Sequence, residues 1–179
     1  MKRFFVVLVI IIVGIPLVQV SAQPASDEEN KPIHITSDRF DAYTEQRMAV
    51  FSGNVVVTQG DTTINSDEFR LYYKKEVEGG RKSNQFMRPG GAQSGDIEKI
   101  EAKGNVTIKQ QEKIVTGGLA VFYNDEQKVI VTENPVMKDG DNVIRGDTII
   151  FFMAENKGMV KGSPNQRVTA TIYPEEKKQ

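Results

Sequence analysis

The chain is predicted to be all-β beyond its first segment, on three observations. Short runs such as Val55-Val56-Val57-Thr58, Val106-Thr107-Ile108-Lys109 and Val168-Thr169-Ala170-Thr171-Ile172-Tyr173 are β-rich and set apolar against polar residues. Gly-Asp pairs at 60–61, 95–96, 140–141 and 146–147 punctuate them as turns. After residue 22, apolar residues at helical spacing are nowhere sustained.

A repeat organises the runs. Gly53-Asn54, Gly104-Asn105, Glu133-Asn134 and Gly162-Ser163 follow one another at steps of 51, 29 and 29 residues. Ser37-Asp38, Ser66-Asp67, Gly117-Gly118 and Gly146-Asp147 follow at 29, 51 and 29. Both series give a unit of 29 residues with one insertion of 22. The columns around these markers are apolar: Ile35, Ile64, Val115 and Ile144 before the second series, and Phe40, Phe69, Ala120 and Ile149 after it. Ala42, Leu71, Phe122 and Phe151 stand two residues further on. Around the first series lie Phe51, Ala102, Val131 and Val160, then Val55 and Val57, Val106 and Ile108, Pro135 and Met137. Even spacing puts each set on one face of a pleated strand. A unit this short cannot bury that face alone, so the stack is the fold.

In chain order, Lys2 and Arg3 precede an apolar run from Phe4, broken at Gly14, Pro16 and Gln19 and followed by Val20-Ser21-Ala22. This is the pattern of an export signal cleaved near Ala22. The run is at the short end for a membrane span, and an uncleaved anchor is the alternative; either way the body lies outside the cytoplasm. Cleavage would leave 157 of the 179 residues, enough for one domain. Residues 23–31 form a polar leader, 32–174 the domain, and 175–179 a charged tail. The insertion, at about 76–96, carries Arg81, Lys82 and Arg88, which read most simply as a solvated loop.

Composition narrows the chemistry. Without Lys2 and Arg3 the 24 acidic residues face 21 basic ones, a balance that argues against nucleic acid as a partner. With no cysteine, disulfides, thiolate metal sites and a cysteine nucleophile are excluded. His34 is the only histidine and alternates to the solvent side of Ile33 and Ile35. Asp38, Asp67 and Asp147 are equivalent positions in a ladder, whereas acid–base catalysis needs carboxylates in unequal environments. Side-chain hydrogen bonds to nearby turn backbone explain them better. No catalytic, cofactor or metal site is expected. The phenylalanine columns fit either an ordinary core or an apolar trough, and periodicity cannot choose between them.

Pro32-Ile33-His34-Ile35-Thr36-Ser37-Asp38, Phe51-Ser52-Gly53-Asn54-Val55-Val56-Val57-Thr58-Gln59-Gly60 and Ile64-Asn65-Ser66-Asp67 closely resemble the LptA (OstA-like) family of periplasmic lipopolysaccharide-transport proteins. The resemblance extends through Arg145-Gly146-Asp147 to Arg167-Val168-Thr169 and is poorest at the insertion. It implies a β-jellyroll of two facing antiparallel sheets that holds the lipid A acyl chains of lipopolysaccharide between them. It also implies end-to-end bridging from an anchored inner-membrane OstA-like partner to the N-terminal domain of an outer-membrane translocon. Under it Ile33 and Ile35 stand at the mouth, Ile108 and Phe122 along the interior, and the column residues Phe40, Phe51, Val57, Ile64, Phe69, Leu71, Val131, Ile149 and Phe151 become lipid contacts.

Physics supports such a carrier. Each exposed methylene costs about 0.8 kcal/mol, so a chain with about ten of them stays in an apolar trough. Unpaired strands end the stack at Ile33, His34 and Ile35 and at Val168, Ala170 and Ile172, where head-to-tail copies would pair without closing a ring. Three rivals remain: the membrane-anchored partner of the same system, a β-solenoid enzyme acting on envelope polysaccharide, and a scaffold filament with no trough.

Overall fold

Twelve antiparallel strands and no helix build the described residues, 31–74 and 97–174, of a computed structural model. In chain order they are β1 (His34–Thr36), β2 (Arg39–Tyr43), β3 (Met48–Gln59), β4 (Thr62–Tyr73), β5 (Ile97–Gln110) and β6 (Lys113–Tyr123). Then come β7 (Lys128–Thr132), β8 (Val136–Asp139), β9 (Asn142–Arg145), β10 (Thr148–Phe152), β11 (Lys157–Lys161) and β12 (Thr169–Thr171). The export segment, nearly all of the leader, the insertion with its three basic residues and the tail lie outside the described residues.

The strands form one hydrogen-bonded network that folds into two facing layers. The first layer runs β2-β3-β4-β5-β6-β7-β10-β11 and the second β1-β3-β4-β5-β6-β8-β9-β12. Strands β3 to β6 belong to both. The N-terminal half of β3 pairs with β2 and its C-terminal half with β1. The halves of β6 divide likewise between β8 and β7. Residues of both layers form a single apolar cluster, so the layers face each other. This is the expected β-jellyroll, except that the long strands make the two layers continuous.

Each layer crossing is a corner, and the repeat markers are the corners. The ladder slips between Ser52 and Val55, between Asn65 and Glu68, and between Lys103 and Val106. Gly53 and Asn54 take φ of 80° and 46°, Gly104 and Asn105 of 77° and 47°. Glycine and asparagine enter this left-handed region at least cost, which is why they recur there. The aspartates of the other series brace the corners: Asn54 Nδ2 donates to Asp38 at 2.8 Å and Asn105 Nδ2 to Asp67 at 2.9 Å. The expected partner was nearby turn backbone. Instead each carboxylate reaches an asparagine of the neighbouring strand, because the missing Cβ of the corner glycine leaves room for it. Asp147 has no such partner; its backbone N–H donates to Lys161 at 2.8 Å.

Candidate functional site

The sequence columns interleave in space into continuous rows that cross every strand. In the first layer one row reads Phe40, Phe51, Phe69, Ala102, Ala120, Val131, Ile149, Val160, each the ladder partner of the next. The row beside it, further from the corners, reads Ala42, Ala49, Leu71, Ile100, Phe122, Val129, Phe151, Gly158. In the second layer Ile35, Val57, Ile64, Ile108, Val115, Met137, Ile144 and Ala170 form the matching row. None of the three rows holds a charged residue. Together they give the stack an apolar interior that runs from one end to the other.

Burial sorts the expected lipid contacts into two classes. Near the corners Phe69, Val131 and Ile149 are sealed, the last two at 0% exposure, together with Val55 and Val106. Val57 and Leu71 are also buried. These side chains form a closed spine along the corner side of the apolar interior. Ile35, Phe51, Ile64, Ile108 and Phe151 pack against that cluster but stay partly open, and Phe122, in the same row as Phe151, is likewise only partly buried. Phe40 stacks on Phe51, centroids 4.9 Å apart, yet is 54% exposed because β2 is an edge strand among the described residues. Ile33, just before β1, is exposed as well.

Ile100 and Val129 join the open row without having stood in any column, and Met137 and Ile144 join it from columns that nominated only their neighbours. The missed signal was alternation within Val129-Ile130-Val131, where Val129 sits two residues from Val131. Ile100 stands in the same relation to Ala102, two residues away in continuous register.

Both ends are open. Among the described residues β1 and β2 pair only with β3, β11 only with β10, and β12 only with β9. The most exposed large apolar side chains gather there: Ile33, Phe40 and Tyr43 at the first end, Met153, Val168, Ile172 and Tyr173 at the last. His34 is exposed on β1, and Ala170 continues the inward row at β12.

Charge is kept to the outward surface. Tyr72 Oη donates to Glu101 at 2.8 Å, Lys99 Nζ donates to the same carboxylate at 2.8 Å, and Arg70 pairs with Glu68 at 2.7 Å. Burial pushes the Glu101 carboxyl up, but the hydrogen bonds from Lys99 and Tyr72 outweigh it and hold the group below its ordinary range. A polar notch lined by Asn105, Thr107, Thr116, Glu133 and Asn134 lies by the corner at Gly118 and Glu133, where alternation turns both threonines away from the apolar rows.

Comparison with known proteins agrees with this geometry. Residues 34–157 match the family model described as LptA/(LptD N-terminal domain) LPS transport protein. The chain is 25% identical over 118 residues to an LPS-assembly protein LptD of Nitrosomonas eutropha, covering 65% of this chain and 13% of that protein. It is 29% identical over 104 residues to an uncharacterised protein of Rhizobium meliloti, covering 57% and 50%. It thus spans half or less of the length of these two relatives. Among solved structures it is similar to LptH of Pseudomonas aeruginosa, the LptA-homologous periplasmic component of a lipopolysaccharide transport device. The TM-score is 0.64 at 20% identity, covering 84% of this chain and all of that one. The two share a fold, and by the family match over most of its described residues the chain belongs to the LptA/LptD N-terminal-domain family of LPS transport proteins.

Proposed function

We propose that this protein is a periplasmic bridge that shields lipopolysaccharide acyl chains in an apolar slot between its two layers and passes them from inner-membrane to outer-membrane machinery. The observation that carries this reading is the continuity of the inward apolar rows from one unpaired end to the other. Eight strands spaced about 4.8 Å apart make a row roughly 34 Å long. One leaflet of a bilayer's hydrocarbon core is about 15 Å deep, so an acyl chain lying across the strands has room to advance by its own length. Because the units are alike, each step presents a similar environment, and direction has to come from an energy-consuming partner. The partly open side chains Ile64, Ile108, Phe122 and Phe151 are the proposed lipid contacts, with Ile35 and Ile33 at the mouth. The sealed side chains hold the spine instead.

Photo-crosslinking residues placed at Ile33 and Phe122 test this. Lipopolysaccharide adducts at both positions are expected while transport runs, and their absence at both would leave only a scaffold.

The ends supply the partners. Exposed apolar residues at both ends fit edge pairing with a second copy, with an anchored inner-membrane protein of the same fold, and with the N-terminal domain of an outer-membrane translocon. Replacing Val168 and Ile172 with lysine should weaken self-association by more than about tenfold, since each apolar side chain contributes about 1.5 kcal/mol or more when buried. Light scattering reads the loss, and lipid bound per chain should not change. A double variant that still forms long assemblies would place the contact elsewhere.

A further inference from the structure

The outward side of the first layer changes character halfway along the stack. Alternation turns Asp41, Arg70, Val121 and Ile150 outward, one column of the repeat at steps of 29, 51 and 29. Val50, Glu101, Ile130 and Met159 form the matching column at 51, 29 and 29. On β2 to β5 this surface is charged, and its charges pair off: Arg39 with Asp41 at 2.7 Å, Arg70 with Glu68 at 2.7 Å, Lys99 with Glu101 at 2.8 Å. On β6, β7, β10 and β11 the column positions are all apolar, and Val121, Ile130, Ile150 and Met159 are successive ladder partners. Ile150 is buried and the other three stay partly open. A strand that is apolar on both faces reads as covered on both.

Lysines border this band. On one side Tyr123, Lys128, Phe152 and Lys157 pair in turn, with the Lys128 ammonium 5.1 Å over Tyr123 and that of Lys157 5.5 Å over Phe152. The other side ends in Lys161, the partner of Thr148. Among the described residues, every charge facing outward on these four strands is a lysine. The bordering acids, Glu126, Glu155 and Asp147, stand in turns and at a corner, and Glu126 takes Lys128. Lys157 and Lys161 are exposed.

We propose that this face docks on a bilayer surface that carries anionic headgroups. Lysines and aromatic rings around an apolar band are the side chains that settle at such an interface, with their ammonium groups at the phosphates. Size favours a bilayer over a protein. Strands about 4.8 Å apart, with three outward residues about 7 Å apart on each, cover on the order of 400 Å², half the about 800 Å² that each partner of a stable protein interface buries. The face lies outside the slot, so docking holds the last end of the stack at a membrane and leaves the interior free.

The chain has no cysteine, so Thr132→Cys and Ser52→Cys can each carry a single polarity-sensitive dye, one on this face and one on the charged half. Vesicles of phosphatidylcholine mixed with phosphatidylglycerol should shift the dye at position 132 to the blue and leave that at position 52 unchanged. Phosphatidylcholine alone should act much more weakly. Lys157→Gln combined with Lys161→Gln should raise the lipid concentration at the midpoint about 25-fold, about fivefold for each lysine, with fluorescent fatty-acid binding unchanged. If the dye at position 132 stays in water, if both dyes shift alike, or if the double variant keeps its midpoint, the proposal falls while the slot stands. A blue shift at position 132 that follows protein concentration without vesicles would give the face to a second copy and overturn it as well.

Discussion

Replacing Phe122 with aspartate is expected to abolish lipid capture and leave the protein folded, whereas Val131→Asp, one strand away, is expected to unfold it. Both side chains stand in the inward rows and both belong to the columns that the sequence treats alike. They differ in cover. Val131 is sealed at 0% exposure and fills the space over Gly117, whose Cβ would lie only 2.7 Å from Val131 Cγ1. A carboxylate there has no partner and no path to water, at a cost above about 4 kcal/mol. A domain stabilised by about 5–15 kcal/mol does not tolerate that readily. Phe122 is only partly buried, so an aspartate can turn to solvent at a cost of about 1–2 kcal/mol. Any acyl chain laid on it must then desolvate a charge and lose the ring, and affinity should drop on the order of 30-fold or more. Circular dichroism and fluorescent fatty-acid binding on both variants decide the matter. A folded Phe122→Asp that binds lipid normally would mean that the open row is not where chains lie. An unfolded one would mean that the row is core.

This contrast marks how far the sequence could be read. Period and alternation named the inward residues, because both register and face follow from even spacing along a strand. The two column series around Phe40 and Phe51 even proved to be alternate members of one row, since consecutive strands of a jellyroll run in opposite directions and bring each series beside the other. Exposure was not legible. Whether a phenylalanine is sealed or open depends on its distance from the corner and on what the facing layer sets opposite it, and the periodicity of one strand carries neither. Nor could the sequence tell that Asp38 and Asp67 look across to Asn54 and Asn105. An aspartate at a turn has local partners enough to explain it, until the left-handed corner shows that those partners are out of reach.

The next corner of the repeat, at Gly118 and Glu133-Asn134, yields the second large effect, because there the repeat breaks its own rule. At the first two corners a carboxylate from the strand before fills the space above a glycine: Asp38 over Gly53, Asp67 over Gly104. At the third, glycine and carboxylate have exchanged places. Gly118 stands where the aspartate would be, Glu133 stands where the glycine would be, and a Cβ on Gly118 would meet the Glu133 carboxylate at 2.1 Å. The geometry is kept and the carboxylate comes from the other strand. Gly118→Asp alone should therefore force two carboxylates into one space and destabilise the protein by about 2–4 kcal/mol. Glu133→Gly alone should change stability little. It opens a gap, but it also frees a residue held at φ 62°, a conformation that disfavours glutamate. The double variant recreates the first two corners, with Asn134 poised to donate to the new aspartate as Asn54 and Asn105 do. It should recover most of the loss, with a coupling of about 2 kcal/mol between the sites in urea unfolding. Simple additivity would show that the carboxylate over the glycine is incidental to the corner. The asparagines alone would then turn the chain from one layer to the other.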